Sequence, residues 1–532
     1  MKRINLIYTI ACLLTIFIMT SCRTKTAVQS GVVTELTVEE EQFRPNFHFT
    51  PKNNWMNDPN GMFFLDGVYH LYFQYYPDGN KWGPMHWGHA TSTDMMRWKE
   101  QPIALYPDNL GYIFSGSAVV DVANSSGLGD GKTAPIVAIY TYHDMVKEKA
   151  QQIDAQTQGL AYSLDKGMTW TKYEGNPIIK NPGIRDFRDP KVVYDKVNKQ
   201  WLMVLAAQDR AKLYSSQNLK DWKFLSDFGH KIGAHGGVWE CPDFFPLKVE
   251  GTNKTKWVLL QSLNPGGPNG GSATQYFIGD FDGKTFKLDP SFDKFSDADK
   301  GQWLDYGNDN YAGVTWDNIP ASDGRKLMIG WMSNWEYAEL VPTTKWRGSM
   351  TLPRELRLIQ TAKGYAINTK PVSELDKYVS KKIKKGNVKV KNTTLLADKG
   401  EVDFSQTVIK FNLKDLKKDT YSFTLTNDAG EKLVFGINNV ENYIFVDRSQ
   451  SGSTTFSPKF GSPITRVDFE TPITNTDFEI ILDKTSIEIF INDGNEVITE
   501  IFFPSKPFNT FSANSVFGTE IQNLQFNQLK LN

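Results

Sequence analysis

Short runs of Val, Ile, Tyr, Phe and Trp, separated by turn residues, occupy this chain from residue 43 to residue 360. Long helical periodicity is almost absent there, so the pattern predicts β-strands connected by turns. Two such runs, residues 63–65 and 68–73, flank Asp66-Gly67, which is a strong hairpin signal. A second pair of runs flanks a turn at residues 195–198. The region is therefore predicted to be all-β.

A weak repeat of polar turns, each followed by an aromatic residue, runs through the same region. The aromatic residues recur roughly every 50 to 70 residues, which fits a four-stranded blade with its loops. About 320 residues would then hold about five blades of a β-propeller, whereas unrelated turns in a large β-sandwich are the alternative. The repeated segments are Ser92-Thr93-Asp94 with Trp98, Ser163-Leu164-Asp165 with Trp170, Ser216-Gln217-Asn218 with Trp222, and Asp280-Phe281-Asp282-Gly283 with Phe286.

The character of the sequence changes after Leu358. A charged stretch at residues 373–379 could be helical, and a run of lysines follows it. Alternating strand patterns then appear at residues 408–413, 478–482 and 486–491, which predict a β-sandwich of about 150 residues. The predicted organisation is a propeller at 43–360, a linker at 361–385 and a sandwich at 386–532.

The first 22 residues have the pattern of a targeting signal. Lys2 and Arg3 precede an apolar run at residues 4–19, which is too short and too early for a convincing membrane-spanning helix. Small residues then precede Cys22, as in a bacterial lipoprotein signal, whose cysteine becomes the lipidated first residue. We therefore expect export and attachment to a membrane only through lipid on Cys22. An ordinary secretory signal with a chance cysteine is the alternative.

Cysteine usage agrees with this interpretation. Of the 3 cysteines, Cys12 would be lost with the signal, Cys22 would carry lipid and Cys241 would remain alone. No disulfide is then expected in the mature chain. Residues 23–42 are polar and lack apolar periodicity, which favours a flexible tether.

The charge balance excludes one class of partner. The chain has 59 basic and 60 acidic side chains, and its formal net charge is -1. Nothing in this balance predicts binding to nucleic acid or to an anionic membrane surface. Aromatic residues reach 13%, which is compatible with a protein that handles sugars, although most of them are expected in the core.

Four short segments of the predicted propeller carry acidic side chains or their neighbours. Each alone has an ordinary explanation, such as a turn, a local ion pair or a strand end. In a propeller, however, the innermost strand of every blade lines one central channel, so acids far apart in sequence can meet at its mouth. Glycosidic cleavage needs two such carboxyl groups, one ionised and one protonated. The segments are Asn54-Trp55-Met56-Asn57-Asp58-Pro59-Asn60-Gly61, Phe114-Ser115-Gly116-Ser117, Phe187-Arg188-Asp189-Pro190 and Trp239-Glu240-Cys241-Pro242-Asp243.

Together these segments resemble the β-fructosidases of glycoside hydrolase family 32, which include invertases, inulinases and levanases. The resemblance covers nearly the whole chain after residue 42, with the motifs in the expected order. It implies an all-β fold in which a five-bladed β-propeller is followed by a C-terminal β-sandwich, in agreement with the strand patterns.

The resemblance also implies roles for four residues. Asp58 matches the nucleophile and Glu240 the acid/base, so the reaction would retain configuration with the two carboxyl groups about 5 to 5.5 Å apart. Asp189 matches the transition-state stabiliser, and Arg188 beside it would hold the acids in register.

A fructose-shaped pocket is implied around these acids. Tyr311 and Asp305 are weaker candidates for it, because Tyr306 competes for the same role, and core packing is the alternative for each tryptophan. The implied substrate-binding residues are Trp55, Asn57, Gln74, Trp82, Phe114, Ser115, Arg188, Tyr311 and Trp335.

No metal or cofactor is expected. His86 and His89 lack a convincing third ligand, so packing or hydrogen bonding is the interpretation.

The expected activity is hydrolysis of fructans such as levan or inulin, with sucrose as a further substrate. Release of terminal fructose is favoured, but cleavage within the chain stays open and depends on the loops at 105–113, 142–157 and 264–272. Three competing hypotheses are fructosyl transfer, an arabinan- or xylan-cleaving enzyme, and a non-catalytic fructan-binding lipoprotein. The oligomeric state is not predicted.

Overall fold

Five β-sheets follow one another along the first part of the chain, and each begins with the strand nearest a common axis. The computed structural model describes residues 41–296 and 299–531. The first sheet contains β1 (Asn54–Leu65), β2 (Val68–Tyr76), β3 (His86–Ser92), β4 (Lys99–Leu105) and the late strand β19 (Trp346–Arg347). The second contains β5 (Tyr112–Val120), β6 (Ile136–His143), β7 (Gln156–Ser163) and β8 (Thr171–Lys172), with a short helix α1 (Met145–Lys149) between β6 and β7.

The next three sheets have four strands each. The third contains β9 (Phe187–Asp195), β10 (Gln200–Ala207), β11 (Arg210–Ser216) and β12 (Lys223–Phe228). The fourth contains β13 (Val238–Lys248), β14 (Thr255–Asn264), β15 (Ala273–Phe281) and β16 (Phe286–Leu288), and a 3₁₀ helix (Pro290–Phe295) follows. The fifth contains β17 (Tyr311–Thr315), β18 (Lys326–Trp331), β20 (Arg354–Thr361) and β21 (Gly364–Pro371).

The five innermost strands close into a ring. Strand β1 contacts β5, and the series continues through β9, β13 and β17 back to β1. The parallel pairing of β19 with β1 adds a late segment of the chain to the first blade, where Asn54 lies opposite Trp346. The predicted five-bladed propeller is thereby confirmed.

The repeat seen in the sequence marks the same place in successive blades. Ser92, Ser163 and Ser216 are the last residues of β3, β7 and β11. Each serine hydroxyl bonds the polar side chain two residues later, at 3.0, 2.8 and 3.2 Å. The polar turn therefore connects the third strand of a blade to the fourth, which explains its spacing in the sequence.

Both predicted hairpin turns are confirmed. Leu65 pairs with Val68, and the two residues between them have φ angles of 50° for Asp66 and 84° for Gly67. Positive φ at both central positions is the conformation of a type I′ turn, which is one of the common two-residue hairpin connections. The second turn connects β9, which ends at Asp195, to β10.

A β-sandwich follows the propeller, as predicted. The last strand is 20 residues long; its first part pairs with β24 and its second part with β23, so it joins two layers that enclose one apolar core. Phe411, Phe423 and Phe478 stack within that core. The strands are β22 (Val379–Ala397), β23 (Gln406–Leu413), β24 (Thr420–Thr426), β25 (Lys432–Asn438), β26 (Tyr443–Gln450), β27 (Thr465–Asp468), β28 (Thr476–Asp483), β29 (Ser486–Ile491), β30 (Glu496–Ile501) and β31 (Thr510–Leu529).

The connection between the domains is shorter than the predicted linker at 361–385. Strand β21 (Gly364–Pro371) is the outer strand of the fifth blade, and β22 already begins at Val379. A 3₁₀ helix (Ser373–Tyr378) occupies the gap. The lysines that suggested a linker lie on β22 and point largely to solvent. Their charge is typical of a solvated linker, although backbone pairing with β31 makes this segment a strand.

The predicted signal, the predicted lipidation site Cys22 and the predicted tether up to residue 40 lie outside the described residues. Within the part that the structure describes, no helix combines the length and apolar character needed to cross a bilayer.

A buried ionic network joins the propeller to the sandwich. His48 bonds Asp483 through Nδ1 at 2.8 Å and Glu488 through Nε2 at 2.7 Å. Arg354 bridges the same Glu488 to Asp305, at 2.8 Å from the latter. All five side chains are almost fully excluded from solvent. Burial alone would lower the pKa of His48, but its two carboxylate partners raise that pKa to about 9.

We predict that this histidine makes the protein less stable at alkaline pH than at neutral pH. Because the folded-state pKa lies above the ordinary value of 6.5, its contribution is complete below about pH 6.5 and disappears as the pH rises through about 9. The loss should be on the order of 3 kcal/mol in the free energy of unfolding, measured by denaturant titration at pH 6 and pH 10. A His48→Gln variant should show a smaller decline over this interval; equal declines in both proteins would contradict the prediction.

Candidate active site

Each innermost strand brings a predicted site residue to the same end of the propeller. Asp58 lies on β1, Ser115 on β5, Asp189 on β9, Glu240 on β13 and Tyr311 on β17. A cavity of about 500 Å³ opens there, and four of these five residues line it. The ring of strands therefore assembles a single site from segments that lie up to 253 positions apart, from residue 58 to residue 311.

Every innermost strand is irregular where it reaches this cavity. The regular pairing register is interrupted at the site in all five, and Asp189, Cys241 and Ala312 have φ angles of 62°, 45° and 54°. A β-bulge changes the direction of a side chain, so these irregularities turn the polar groups towards the channel mouth. The interruptions lie between Met56 and Pro59, between Ile113 and Gly116, opposite Val204–Ala206 in β9, between Glu240 and Asp243, and between Tyr311 and Val314.

Asp58 is a buried carboxylate surrounded by hydrogen-bond donors. Ser115 Oγ donates to Oδ2 at 2.6 Å, and Asn57 Nδ2 donates to Oδ1 at 3.1 Å. Burial raises the pKa of Asp58, the bond from Ser115 opposes that rise, and the nearby charge of Glu240 adds to it. The donors favour an ionised oxygen that points into the cavity.

Asp189 is held beside Asp58. The Cys241 backbone N–H donates to its Oδ2 at 3.0 Å, and Arg188 Nε lies 3.9 Å from the same oxygen. Burial raises the pKa of Asp189 to about 7; Arg188 opposes the rise, while Glu240 and Asp58 contribute to it. Three carboxyl groups therefore share one partly dry site and resist ionising together.

Glu240 is the most accessible of these acids. Its side chain is 20% exposed, against 7% for Asp189. Arg188 Nη2 donates to Oε1 at 2.6 Å, and the Tyr311 hydroxyl donates to Oε2. Burial raises the pKa of Tyr311 well above its ordinary value, so this phenol stays a donor. Glu240 is thus oriented on both oxygens and still faces the cavity.

The Cys241 thiol links the two aspartates. Its Sγ lies 3.3 Å from Asp58 Oδ2 and 3.6 Å from Asp189 Oδ2. Burial and the neighbouring carboxylates raise the pKa of this thiol well above its ordinary value, so it remains a protonated donor. The sequence analysis placed Cys241 in a motif and counted it as a lone cysteine, but it gave the thiol no role, because its position between two acids depends on the folded ring.

Ten of the twelve predicted catalytic and substrate-binding residues line the cavity, whereas Trp55 and Tyr311 lie behind it. Trp55 is fully buried, donates to Asn57 Oδ1 at 2.8 Å and stacks on Trp335. Its role is to support two residues that do face the cavity. The ten are Asn57, Asp58, Gln74, Trp82, Phe114, Ser115, Arg188, Asp189, Glu240 and Trp335.

The two competing candidates lie elsewhere. Asp305 belongs to the interdomain network, where Arg354 and Thr499 bond its carboxylate. Tyr306 lines a different cavity, next to the sandwich. Of the three, only Tyr311 contacts a motif acid, because it lies at the start of an innermost strand.

Six further residues line the cavity and were not predicted. Phe114 stacks on His143 with ring centroids 4.2 Å apart, and Asp186 binds Arg188 Nη1 at 2.6 Å. Residues 143–156, which run from the end of β6 through α1 to the start of β7, supply four of the six. Glu339 accepts the backbone N–H of Trp82. No local pattern identifies such rim residues, although the loop at 142–157 was already a candidate. The six are His143, Met145, Glu148, Gln156, Asp186 and Glu339.

The histidines considered as metal ligands have other contacts. His89 Nε2 lies 3.1 Å from His70 Nδ1, and its ring stacks on Tyr72. His86 bonds the Pro84 carbonyl. Across residues 41–296 and 299–531, no group of three or more His, Cys, Asp or Glu side chains is arranged to hold a metal ion.

Comparison with known proteins gives a consistent result. The family description "Glycosyl hydrolases family 32 N-terminal domain" matches residues 48–371, and "Glycosyl hydrolases family 32 C terminal" matches residues 374–528. A levanase of Bacillus subtilis (strain 168) is 44% identical over 497 residues, which cover 92% of this chain and 71% of the levanase.

An extracellular exo-inulinase of Aspergillus awamori is 40% identical over 453 residues, which cover 80% of this chain and 82% of that protein. The crystal structure of exo-inulinase from the same fungus superposes with a TM-score of 0.82 at 34% identity. That superposition covers 92% of this chain and 98% of the other.

We predict that removing one buried charge from the acid cluster stabilises the fold. Asp189→Asn keeps the side-chain shape, and asparagine tolerates the positive φ of this position. Since the pKa of Asp189 is raised to about 7, the native aspartate loses stability as the pH rises from about 4 through 7. The variant should therefore gain on the order of 2 kcal/mol above pH 7 and little at pH 4, measured by denaturant unfolding.

Asp94→Asn is the matched control. Hydrogen bonds from Arg97 and Tyr378 outweigh burial and lower the pKa of Asp94 to about 2, so losing its charge should destabilise the protein at neutral pH. A destabilised Asp189→Asn variant at pH 8 would contradict the interpretation of the cluster.

Proposed function

The chain belongs to glycoside hydrolase family 32, and on that premise we propose that it is a retaining hydrolase that releases fructose from the ends of β-fructan chains. Hydrolysis of β-fructosyl linkages in fructans is the activity that its relatives share by name, as levanase and exo-inulinase. The observation that carries the proposal is the convergence of Asp58, Asp189 and Glu240 in one cavity.

In the first step Asp58 acts as the nucleophile. Its carboxylate oxygen forms a bond to the anomeric carbon of a terminal fructosyl unit while the bond from that carbon to the leaving oxygen breaks. The donors from Ser115, Asn57 and Cys241 favour the ionised form of Asp58 against the effect of burial and fix its direction. A covalent fructosyl-enzyme results.

Glu240 acts as the acid and then as the base. It transfers a proton to the leaving oxygen, and it later removes a proton from the water that displaces Asp58 from the sugar. Its exposure to the cavity and its two fixed oxygen contacts suit a group that must reach leaving group and water in turn. Two displacements give net retention, for which the carboxyl groups should lie about 5 to 5.5 Å apart.

Asp189 and Arg188 stabilise the transition state. Positive charge develops on the sugar ring, and the Asp189 carboxylate beside Asp58 is placed to oppose it. Arg188 holds Asp186 and Glu240, each at 2.6 Å, and so fixes the relative positions of the acids. Its own pKa rises because of these neighbours, although burial opposes that, so it stays charged.

Terminal cleavage is supported by the depth of the acids. Asp58 and Asp189 are 9% and 6% exposed, so a sugar ring must enter the cavity to reach them. A chain end can do so, whereas an internal unit would need room for the chain on both sides. Asn57 and Gln74 offer amides to the sugar hydroxyls, and Trp82, Phe114 and Trp335 supply apolar walls.

The site of action is proposed to be outside the cytoplasm, with the enzyme anchored by lipid on Cys22. The basic start, the apolar run and the small residues before Cys22 support this, as does the relative that is named extracellular. Such a location suits substrates too large to import readily.

Leaving-group chemistry tests the assigned roles. Asp58→Asn should lower kcat on levan and inulin by at least about 10³-fold, since no covalent intermediate forms. Glu240→Gln should lower kcat on these natural substrates by a similar factor. It should lower kcat on fructosyl fluoride much less, because fluoride departs without needing a proton. As a control, both variants should unfold at the same temperature as the parent protein. If Glu240→Gln lowers kcat equally on fructans and on fructosyl fluoride, the role of Glu240 as the acid is contradicted.

Product analysis tests the mode of cleavage. Terminal cleavage predicts that fructose is the first product from levan or inulin and that long chains shorten gradually. A time course separated by chain length measures this directly. Early appearance of oligosaccharides would show cleavage within the chain, and products longer than the substrate at high sucrose would show transfer.

A further inference from the structure

A buried ion pair lies beneath the acid cluster, inside the ring of innermost strands. Lys191 Nζ is 3.2 Å from Asp243 Oδ2, and the two side chains are 9% and 1% exposed. Neither residue lines the catalytic cavity. A void of about 10 Å³, bounded by all five innermost strands, has both Asp189 and Lys191 in its walls, and it is too small for a sugar ring. The pair is therefore next to the acids but too deep to touch a substrate.

The pair also binds the backbone of a third strand. Lys191 lies on β9, Asp243 on β13 and Thr315 on β17. The Thr315 N–H donates to Asp243 Oδ2 at 2.6 Å, and Lys191 Nζ donates to the Thr315 carbonyl. These strands belong to three different blades, and in the described part of the chain no backbone ladder joins them to one another. Two charged side chains thus connect the third, fourth and fifth blades at their inner edges.

These contacts fall where each strand becomes regular again. After the bulge, regular pairing resumes at Lys191 in β9, at Asp243 in β13 and one residue before Thr315 in β17. A bulged segment has fewer backbone partners than a regular one, so the position of its side chains depends on the residues that anchor its ends. The bulged segments just above these anchors carry Asp189, Glu240 and Tyr311.

Strand β9 has separate contacts with the second blade. Ser117 Oγ donates to the Pro190 carbonyl at 3.0 Å and accepts the Val192 N–H at 2.9 Å. The Asp189 N–H donates to Thr141 Oγ1 at 2.9 Å. These neutral contacts hold Asp189 without the ion pair. The ion pair adds the connection of β13 and β17 to β9.

At the level of the site, β9 and β13 are held together by a contact whose strength changes during the reaction. Arg188 of β9 binds Glu240 of β13 at 2.6 Å. Glu240 must be protonated before it gives a proton to the leaving oxygen, and it is ionised afterwards. Because a hydrogen bond between two charged groups is stronger than one to a neutral acid, the attraction of Arg188 for Glu240 varies through each cycle. The pair beneath transfers no proton, so its attraction stays constant.

From these observations we propose that Lys191 and Asp243 are positioning residues, which keep Glu240 within reach of the leaving oxygen while its own charge changes. This inference rests on the proposed function, since it takes Glu240 to be the acid. It predicts that loss of the pair slows cleavage when the leaving group needs a proton and spares cleavage when it needs none.

The pair can be replaced without leaving a single buried charge. Lys326 and Asp317 lie near it, and burial lowers the pKa of Lys326 and raises that of Asp317. These two groups have opposite charges, so they balance each other once the pair is neutral. A buried ion pair that is replaced as a whole often costs little stability. The double variant Lys191→Met/Asp243→Asn is suitable, because methionine fills the space of the lysine stem and asparagine still accepts the N–H of Thr315.

The test compares kcat/KM on a fructan trisaccharide with kcat/KM on fructosyl fluoride, since this constant covers the steps up to the fructosyl-enzyme. In the double variant, the value for the trisaccharide should fall by about tenfold or more, because a displacement of about 1 Å at a reacting group is enough for such a loss. The value for the fluoride should stay within about threefold of the parent value. A pair with only a structural role would lower both values by the same factor.

Lys212→Met/Asp227→Asn is the matched control. This ion pair, at 2.6 Å, joins β11 to β12 in the third blade and lies away from the innermost strand. The control variant should leave both values within about twofold of the parent values.

Equal losses on the two substrates, or unchanged values in Lys191→Met/Asp243→Asn, would overturn the inference. The ratio of the two losses does not depend on the folded fraction, so partial unfolding of the variant does not obscure the result. If the double variant yields no folded protein, Asp243→Asn decides by the same ratio. A parent protein that hydrolyses neither substrate would instead refute the proposed function, so the two failures are distinguishable.

Discussion

The closeness of three carboxyl groups in a largely dry cavity is the constraint on which the site depends. Burial and mutual repulsion raise the pKa of Asp58 and bring that of Asp189 to about 7. Arg188 lies among the acids as the compensating cation, and Ser115 and Cys241 supply neutral donors. These partners must be rigidly placed, because a buried charge without them would be expelled or neutralised. The irregular innermost strands supply that placement, at the cost of strained backbone around Asp189 and Cys241.

The sandwich is joined to the propeller through a similar use of buried charge. Besides the network around Arg354 and Glu488, Arg448 of the sandwich bonds Asp309 of the propeller and lies 2.7 Å from Glu500. Ion pairs of this kind contribute little net stability compared with apolar contacts, because both partners lose their water. They do penalise any other docking geometry, since a small displacement would leave charges unpaired. The two networks thereby fix how the two domains pack against each other.

Much of the architecture could be predicted because local sequence patterns indicate it. Asp66-Gly67 specifies its hairpin through the φ angles it tolerates, and the recurring serine turns report the blade period directly. The predicted linker extended too far because the lysines of β22 have the pattern of solvated chain, although backbone pairing with β31 makes a strand of them. The resemblance implied Trp55 as a pocket residue and left Asp305 as a weaker candidate, but only packing shows on which side of the ring a side chain lies.

The sequence by itself determined that the chain is all-β and where its hairpins and repeats fall, since strand and turn patterns are local properties. The acids to expect in the site came from the resemblance of four short motifs to a known family. Only the tertiary structure decided that Cys241 lies between Asp58 and Asp189, that Tyr311 and not Tyr306 contacts Glu240, and that α1 lines the pocket. These features depend on how five bulged strands close into a ring and how a second domain packs against it, and such long-range geometry leaves no local pattern to read.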